Sequence, residues 1–155
     1  MGMIPLLLVS PVLVAVAYYD LRYMRIPNSL VLMALAIFLL ILPLLPMSEI
    51  AWRLAAAVVV FAIGFVVFAL NLFGGGDIKM LSALMLFIPS QTYPIYGFAF
   101  SAAMLLGVFF VLTLRAAPWL QGSDWITIKS PGTFPMGISI ALSGLAHPVL
   151  VSFVI

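Results

Sequence analysis

Residues 52–79 read WRLAAAVVVFAIGFVVFALNLFGGGDIK, and this stretch decides the fold. From Trp52 to Phe73 the single charged residue is Arg53. Wound as an α-helix, such a run rises about 33 Å, enough for a hydrocarbon layer of about 30 Å. It stops at Gly74-Gly75-Gly76, and Asp77 follows at once. An acid where a membrane-length run breaks is costly, and that cost marks it as a functional candidate.

The rest of the 155-residue chain has the same character, with 66% hydrophobic and 6% charged residues and a mean hydropathy of +1.37. That leaves too little polar surface to cover a water-soluble globule of this size. The chain reads as an integral membrane protein, an all-α polytopic helical bundle forming one domain over 1–155. No polar stretch is long enough to fold as a separate soluble unit. Six basic side chains are too few and too scattered to bind nucleic acid. The absence of cysteine excludes disulfides, thiolate metal sites and a thiol nucleophile.

Apolar runs at Ile4 to Tyr19, Ser29 to Leu45, Trp52 to Phe73, Ile78 to Ile88, Tyr93 to Leu114 and Phe134 to Ile155 predict about six transmembrane helices. The fourth run reaches only half of the hydrocarbon layer, which recesses its start at Asp77. Pro11 predicts a kink in the first helix, whereas Pro43, Pro46, Pro89, Pro94 and Pro118 stand near ends. Ala15-Val16-Ala17 imitates a signal-peptide cleavage site, but no basic region precedes the run, so it reads as a first membrane helix. Alternation of the connections gathers Arg22, Arg25, Lys79, Arg115 and Lys129 on one side and leaves Arg53 on the other. The positive-inside rule makes the first side cytoplasmic and the N-terminus external. It also brings Asp20 and Asp77 to the same face. The longest connection, Ala116 to Thr133, carries Trp119 and Trp125 and reads as an interface anchor.

Two carboxyl groups close together in a low-dielectric site cannot both ionise, so one keeps a proton while the other acts as a base toward water. Asp20 and Asp77 are the candidates for such a dyad, and the sequence does not say which is acid and which is base. The glycines Gly74, Gly75 and Gly76 leave the backbone bare, so an extended substrate peptide can pair with it beside Asp77. Lys79 is placed to attract a substrate carboxylate, although snorkelling to headgroups is the simpler role for it and for Arg22 and Arg25. Ile26-Pro27-Asn28 reads as a helix start with Asn28 as N-cap. His147, the sole histidine, reads as a packing or hydrogen-bonding residue on the external half. Gly137 and Ala141 form a small-xxx-small face on the last helix, suited to close packing within the bundle or between chains. No metal site is assigned, because hard cations need more oxygen ligands than two aspartates offer.

Asp20 with the following basic residues and Ile26-Pro27-Asn28, then Gly74-Gly75-Gly76-Asp77-Ile78-Lys79, resembles the GxGD membrane aspartic proteases of the type IV prepilin peptidase family. The segment from Phe134 to Ala141 also looks like that family's last helix. The resemblance implies an aspartic endopeptidase, with no cofactor, that removes the basic leader of prepilin-like precursors at the cytoplasmic membrane face. It implies Asp20 and Asp77 as the catalytic pair and Gly74 and Gly76 as the motif glycines. Larger members add a cytoplasmic domain, often with zinc-binding cysteines, and methylate the new N-terminus. This chain has neither the cysteines nor the room, so it is more similar to the short peptidases of tight-adherence pili and to archaeal preflagellin peptidases. Presenilin-like proteases share the Tyr-Asp and GxGD pair at a greater distance.

Two other classes stand beside this reading. A small proton- or cation-coupled transporter also uses intramembrane acids, but near the bilayer midplane and not at one face. A noncatalytic assembly subunit of a pilus or secretion system would tolerate neutralisation of either aspartate.

Overall fold

A computed structural model describes residues 4–120, 122–130 and 132–154. Among them all regular structure is helical: α1 (Ile4–Tyr23), α2 (Asn28–Ile41), α3 (Met47–Ala69), α4 (Gly75–Met85), α5 (Tyr93–Ala116), α6 (Ile126–Lys129) and α7 (Met136–Val154). Single 3-10 turns lie at Leu42–Leu44, Ser90–Thr92 and Pro118–Leu120. The six apolar runs are thus six helices, and α6 is a short addition within the longest connection. Four of the six, α1, α3, α5 and α7, are long and apolar enough to cross a membrane. Helix α2 with its following turn is shorter, and the 11 residues of α4 rise only about 16 Å.

Proline marks most of the starts. Pro27 and Pro46 are the N-caps of α2 and α3, both in extended conformation, and Pro94 lies in the first turn of α5. A missing N–H costs nothing there. Asn28 is therefore the first helical residue of α2 and not its cap, which corrects the sequence expectation; its side chain is turned outward to Lys79. Pro11 and Pro148 lie inside α1 and α7, as membrane helices allow when neighbouring groups satisfy the freed backbone.

Helix α1 packs on α7 and α2, α7 packs on α5, and α4 touches α3, α2 and α7. The shortest of the six is thus the most enclosed. Met80, Leu84, Phe87 and Ile88 of the α4 region have no exposed surface, as expected for a helix that is apolar on nearly every side. Helix α3 is the reverse, burying only Ile50 and Arg53 and turning Val58, Ile63 and Phe65 outward, where lipid solvates them. Where hydrocarbon surrounds a bundle, close backbone approach replaces the hydrophobic effect as the force between helices. A Cβ at Gly64 would meet Ile78 at 2.6 Å, and one at Gly144 would meet Leu13 at 2.7 Å.

A helix that stops inside the membrane leaves carbonyls without partners. Arg53, 1% exposed, supplies them at the end of α4: its Nη1 donates to the carbonyls of Leu86 at 3.3 Å and Phe87 at 3.4 Å. Glu49 offsets the buried charge with a 3.2 Å contact to Nε and accepts hydrogen bonds from the backbone and hydroxyl of Ser90. The far end of α4 is thereby tied to α3, and its near end carries Asp77.

Candidate functional site

Three helix termini meet around an open cavity of about 690 Å³. Its wall includes Asp20 from the last turn of α1, the turn from Met24 to Asn28, and Gly74 to Asp77 at the start of α4. The first turn of α7 closes in behind Asp20. Two aspartates 57 positions apart in sequence thus share one space.

Asp20 is 3% exposed, and its Oδ2 accepts a 2.6 Å hydrogen bond from the backbone N–H of Gly137. That N–H belongs to the first turn of α7, which has no intrahelical acceptor to offer it. The approach requires glycine, because a Cβ there would lie 2.8 Å from both the Cβ and the Oδ2 of Asp20. After α1 ends, Met24 takes a left-handed conformation with φ 49°, and its N–H returns to the Asp20 carbonyl at 2.8 Å. A left-handed residue here is the ordinary way to reverse a chain after a helix, although glycine adopts it with less strain than methionine. The turn delivers Ile26 beneath α4.

Asp77 is half-buried and occupies the third position of α4, with Gly74 as N-cap. Its carboxylate folds back over Gly74, and the positive end of the helix dipole favours it there. A Cβ on Gly74 would sit 2.7 Å from Asp77 Oδ2. A Cβ on Gly76 would sit 3.0 Å from the Ile26 carbonyl and 3.2 Å from its Cβ, where α4 rests on the turn. The sequence reading expected a substrate strand to pair along Gly74, Gly75 and Gly76, which needs extended backbone there. Gly74 is extended with ψ 142°, but Gly75 and Gly76 already belong to α4. Helix wins because the chain after Asp77 is a buried helix whose first turn must begin at the carboxylate.

Of the sequence candidates, Asp20, Gly74, Gly75, Gly76 and Asp77 border the cavity, together with Arg25 and Asn28. Lys79 is not on its wall; Nζ donates to Asn28 Oδ1 at 3.1 Å on the exposed side. Arg22 stacks over the rings of Tyr18 and Tyr23 and donates to the Tyr18 hydroxyl. His147 is buried and away from this wall, its Nε2 2.9 Å from Thr92 Oγ1 and its ring edge-on to Tyr96. Among the described residues no three His, Asp or Glu side chains cluster as metal ligands. In the long connection Trp119 is 80% exposed, and Lys129 beside Asp124, at 2.8 Å, holds that carboxyl below the usual range.

Sequence reasoning did not find the Gly137 donor. The small-xxx-small pattern at Gly137 and Ala141 signalled a close approach, but not which residue approaches, because that depends on the pairing of α1 with α7.

The model of the type IV leader peptidase family matches residues 7–116, and the chain belongs to that family. The match takes in both aspartates and the three glycines and ends at the last residue of α5, so α6 and α7 lie beyond it. No curated protein and no solved structure matches the chain significantly.

Proposed function

We propose that this member of the type IV leader peptidase family is an aspartic endopeptidase that cleaves the basic leader from prepilin-like or preflagellin-like precursors, with Asp20 and Asp77 as its dyad. The observation that carries the reading is the common cavity of the two carboxyl groups, one behind each helix end. Two acids there hold one proton between them, because a second negative charge is not tolerated in low dielectric. The unprotonated carboxylate takes a proton from water as the oxygen attacks the scissile carbonyl carbon. The protonated partner donates to the peptide nitrogen as the C–N bond breaks. The products are a carboxylate on the leader and a new amino terminus on the mature protein.

The open cavity that Gly74, Gly75 and Gly76 border beside Asp77 is assigned to the substrate backbone. Lys79 acts at the rim through Asn28. The basic side chains near this end of the bundle support placing it at the cytoplasmic face of the inner membrane, with the N-terminus outside. Negative headgroups and two aspartates suit a basic leader arriving from that side. N-methylation of the product is not assigned to this chain.

A coupled transporter would carry its acids at the bilayer midplane. Asp20 stands in the last turn of α1 and Asp77 in the first turn of α4, which favours surface hydrolysis. The test is leader cleavage of several prepilins and preflagellins in membranes containing wild-type, Asp20→Asn or Asp77→Asn protein at matched expression. The expected result is cleavage by wild type and none by either variant. Normal processing by either variant would overturn the dyad.

A further inference from the structure

We propose that Arg115 is a positioning residue for Asp20, acting through the backbone that leads into α7. The inference rests on the peptidase reading above. Arg115 stands in the last turn of α5, and its guanidinium gathers three carbonyls from one short segment. Nε donates to Thr127 at 2.8 Å, and Nη2 donates to Ser130 at 3.0 Å and Thr133 at 2.6 Å. Its other supports among the described residues are its own backbone turns and packing on α1. Helix α6 has four residues and buries only Thr127, and a helix of one turn has no stability of its own.

The segment connects to Asp20 by two indirect routes. Thr133 Oγ1 gives its proton to the Ser130 carbonyl at 2.9 Å and lies 3.3 Å from Met24 Sδ, and Met24 is the left-handed residue whose N–H closes on the Asp20 carbonyl. Four residues after Thr133, Gly137 donates its N–H to Asp20 Oδ2. One oxygen of the carboxylate is thereby fixed and the other left for the cavity. A planar fork satisfies three carbonyls at once, whereas a lysine ammonium keeps the charge and loses the geometry. Arg115 meets neither substrate nor dyad in this arrangement, so its effect on hydrolysis passes through the Gly137 amide.

The charged and titratable groups around Asp20 are Asp77 from α4, Tyr19 and Tyr23 from α1 and Arg25 from the turn. On α6, Lys129 is engaged with Asp124, and α7 carries no titratable group in its first turn. The Gly137 amide therefore reports on the dyad. The experiment uses the full chain in lipid nanodiscs, labelled with ¹⁵N-glycine and ¹³C′-methionine, which singles out the two glycines that follow methionine, Gly2 and Gly137, and Gly2→Ala tells them apart. Leader cleavage is measured on the same samples. In wild type the Gly137 amide proton is expected downfield and moving with pH, and in Asp20→Asn it no longer follows the pH. In Arg115→Lys it shifts upfield, and kcat falls by about tenfold to a hundredfold with KM within about twofold, the signature of a misplaced group and not of lost binding. Arg115→Lys with a wild-type resonance and wild-type kcat overturns the positioning role alone. A Gly137 resonance indifferent to Asp20→Asn overturns the hydrogen bond through which it acts. Wild-type protein that cleaves no leader overturns the peptidase reading and the positioning role with it.

Discussion

Arg53 Nη1 donates to the Leu86 carbonyl across 3.3 Å, so a cation on α3 closes the inner end of α4. The other end of the same helix carries Asp77, and the helix has only 11 residues. A charge placed so deeply is retained because it answers two needs together, the unpaired carbonyls of a half-length helix and the carboxylate of Glu49. Removing Arg53 leaves two carbonyls at the end of α4 without their donor and the partly exposed Glu49 without its cation.

Arg53→Met is accordingly expected to destabilise the bundle by roughly 1–3 kcal/mol. The double variant Arg53→Met with Glu49→Gln should recover part of that loss, since no lone charge then remains. Thermal unfolding in detergent, followed by helix content, checks both. A double variant no more stable than Arg53→Met would show that the carbonyls, and not Glu49, dominate the role of Arg53.

Lys79 and Asn28 form an exposed pair at 3.1 Å on the outer side of the rim. If both act on substrate through that contact, Lys79→Ala and Asn28→Ala raise KM by similar factors, and the double variant is no worse than either. Each factor is expected below about fivefold, because exposed contacts of this kind are worth roughly 0–1 kcal/mol. Additive effects measured in a double-mutant cycle would mean that the two side chains meet the substrate separately.

The spans were readable because membrane helices announce themselves by length and apolarity, and the ends of α2, α3 and α5 by proline. The candidate cavity was readable in part because charge is so scarce: Asp20 and Asp77, which line it together, stand out in a chain with four acids. What resisted reading depended on which helices become neighbours. Nothing local to Gly137 says that its N–H faces Asp20, and nothing local to Arg115 says that three carbonyls will fold around it. Pairing of a substrate strand along all three glycines was not foreseeable as wrong, because glycine permits many backbone conformations and only the buried helix that begins at Gly75 selects one.

The two motif glycines should fail in different ways. Gly74→Ala places a Cβ 2.7 Å from Asp77 Oδ2, so the carboxylate itself must move. A displacement of that order is expected to lower kcat by about a hundredfold while leaving the bundle folded. Gly76→Ala places a Cβ 3.0 Å from the Ile26 carbonyl, part of the backbone and unable to yield alone. That variant pushes α4 away from the turn and is expected to lose about 1–3 kcal/mol of stability as well as activity. Cleavage kinetics and thermal unfolding of the pair decide the matter. Equal stability losses in both would place the Gly74 constraint in the fold and not in the carboxylate.

A dyad that works with one proton requires activity to fall on both sides of an optimum. Below it both carboxyl groups are protonated, and no base is left to take the proton from water. Above it both are ionised, and no acid is left for the departing amine. The profile of kcat/KM against pH is therefore expected to be bell-shaped, and its two limbs belong to the pair and not to Asp20 or Asp77 separately. Because the two residues work as a unit, the Asp20→Asn, Asp77→Asn double variant should be no slower than either single one. The measurement is leader cleavage by protein in lipid nanodiscs across the pH range over which its helix content is constant. A rate that climbs without an alkaline limb would mean that no protonated carboxyl serves the leaving group, and the dyad would then have to give way to a single-base mechanism.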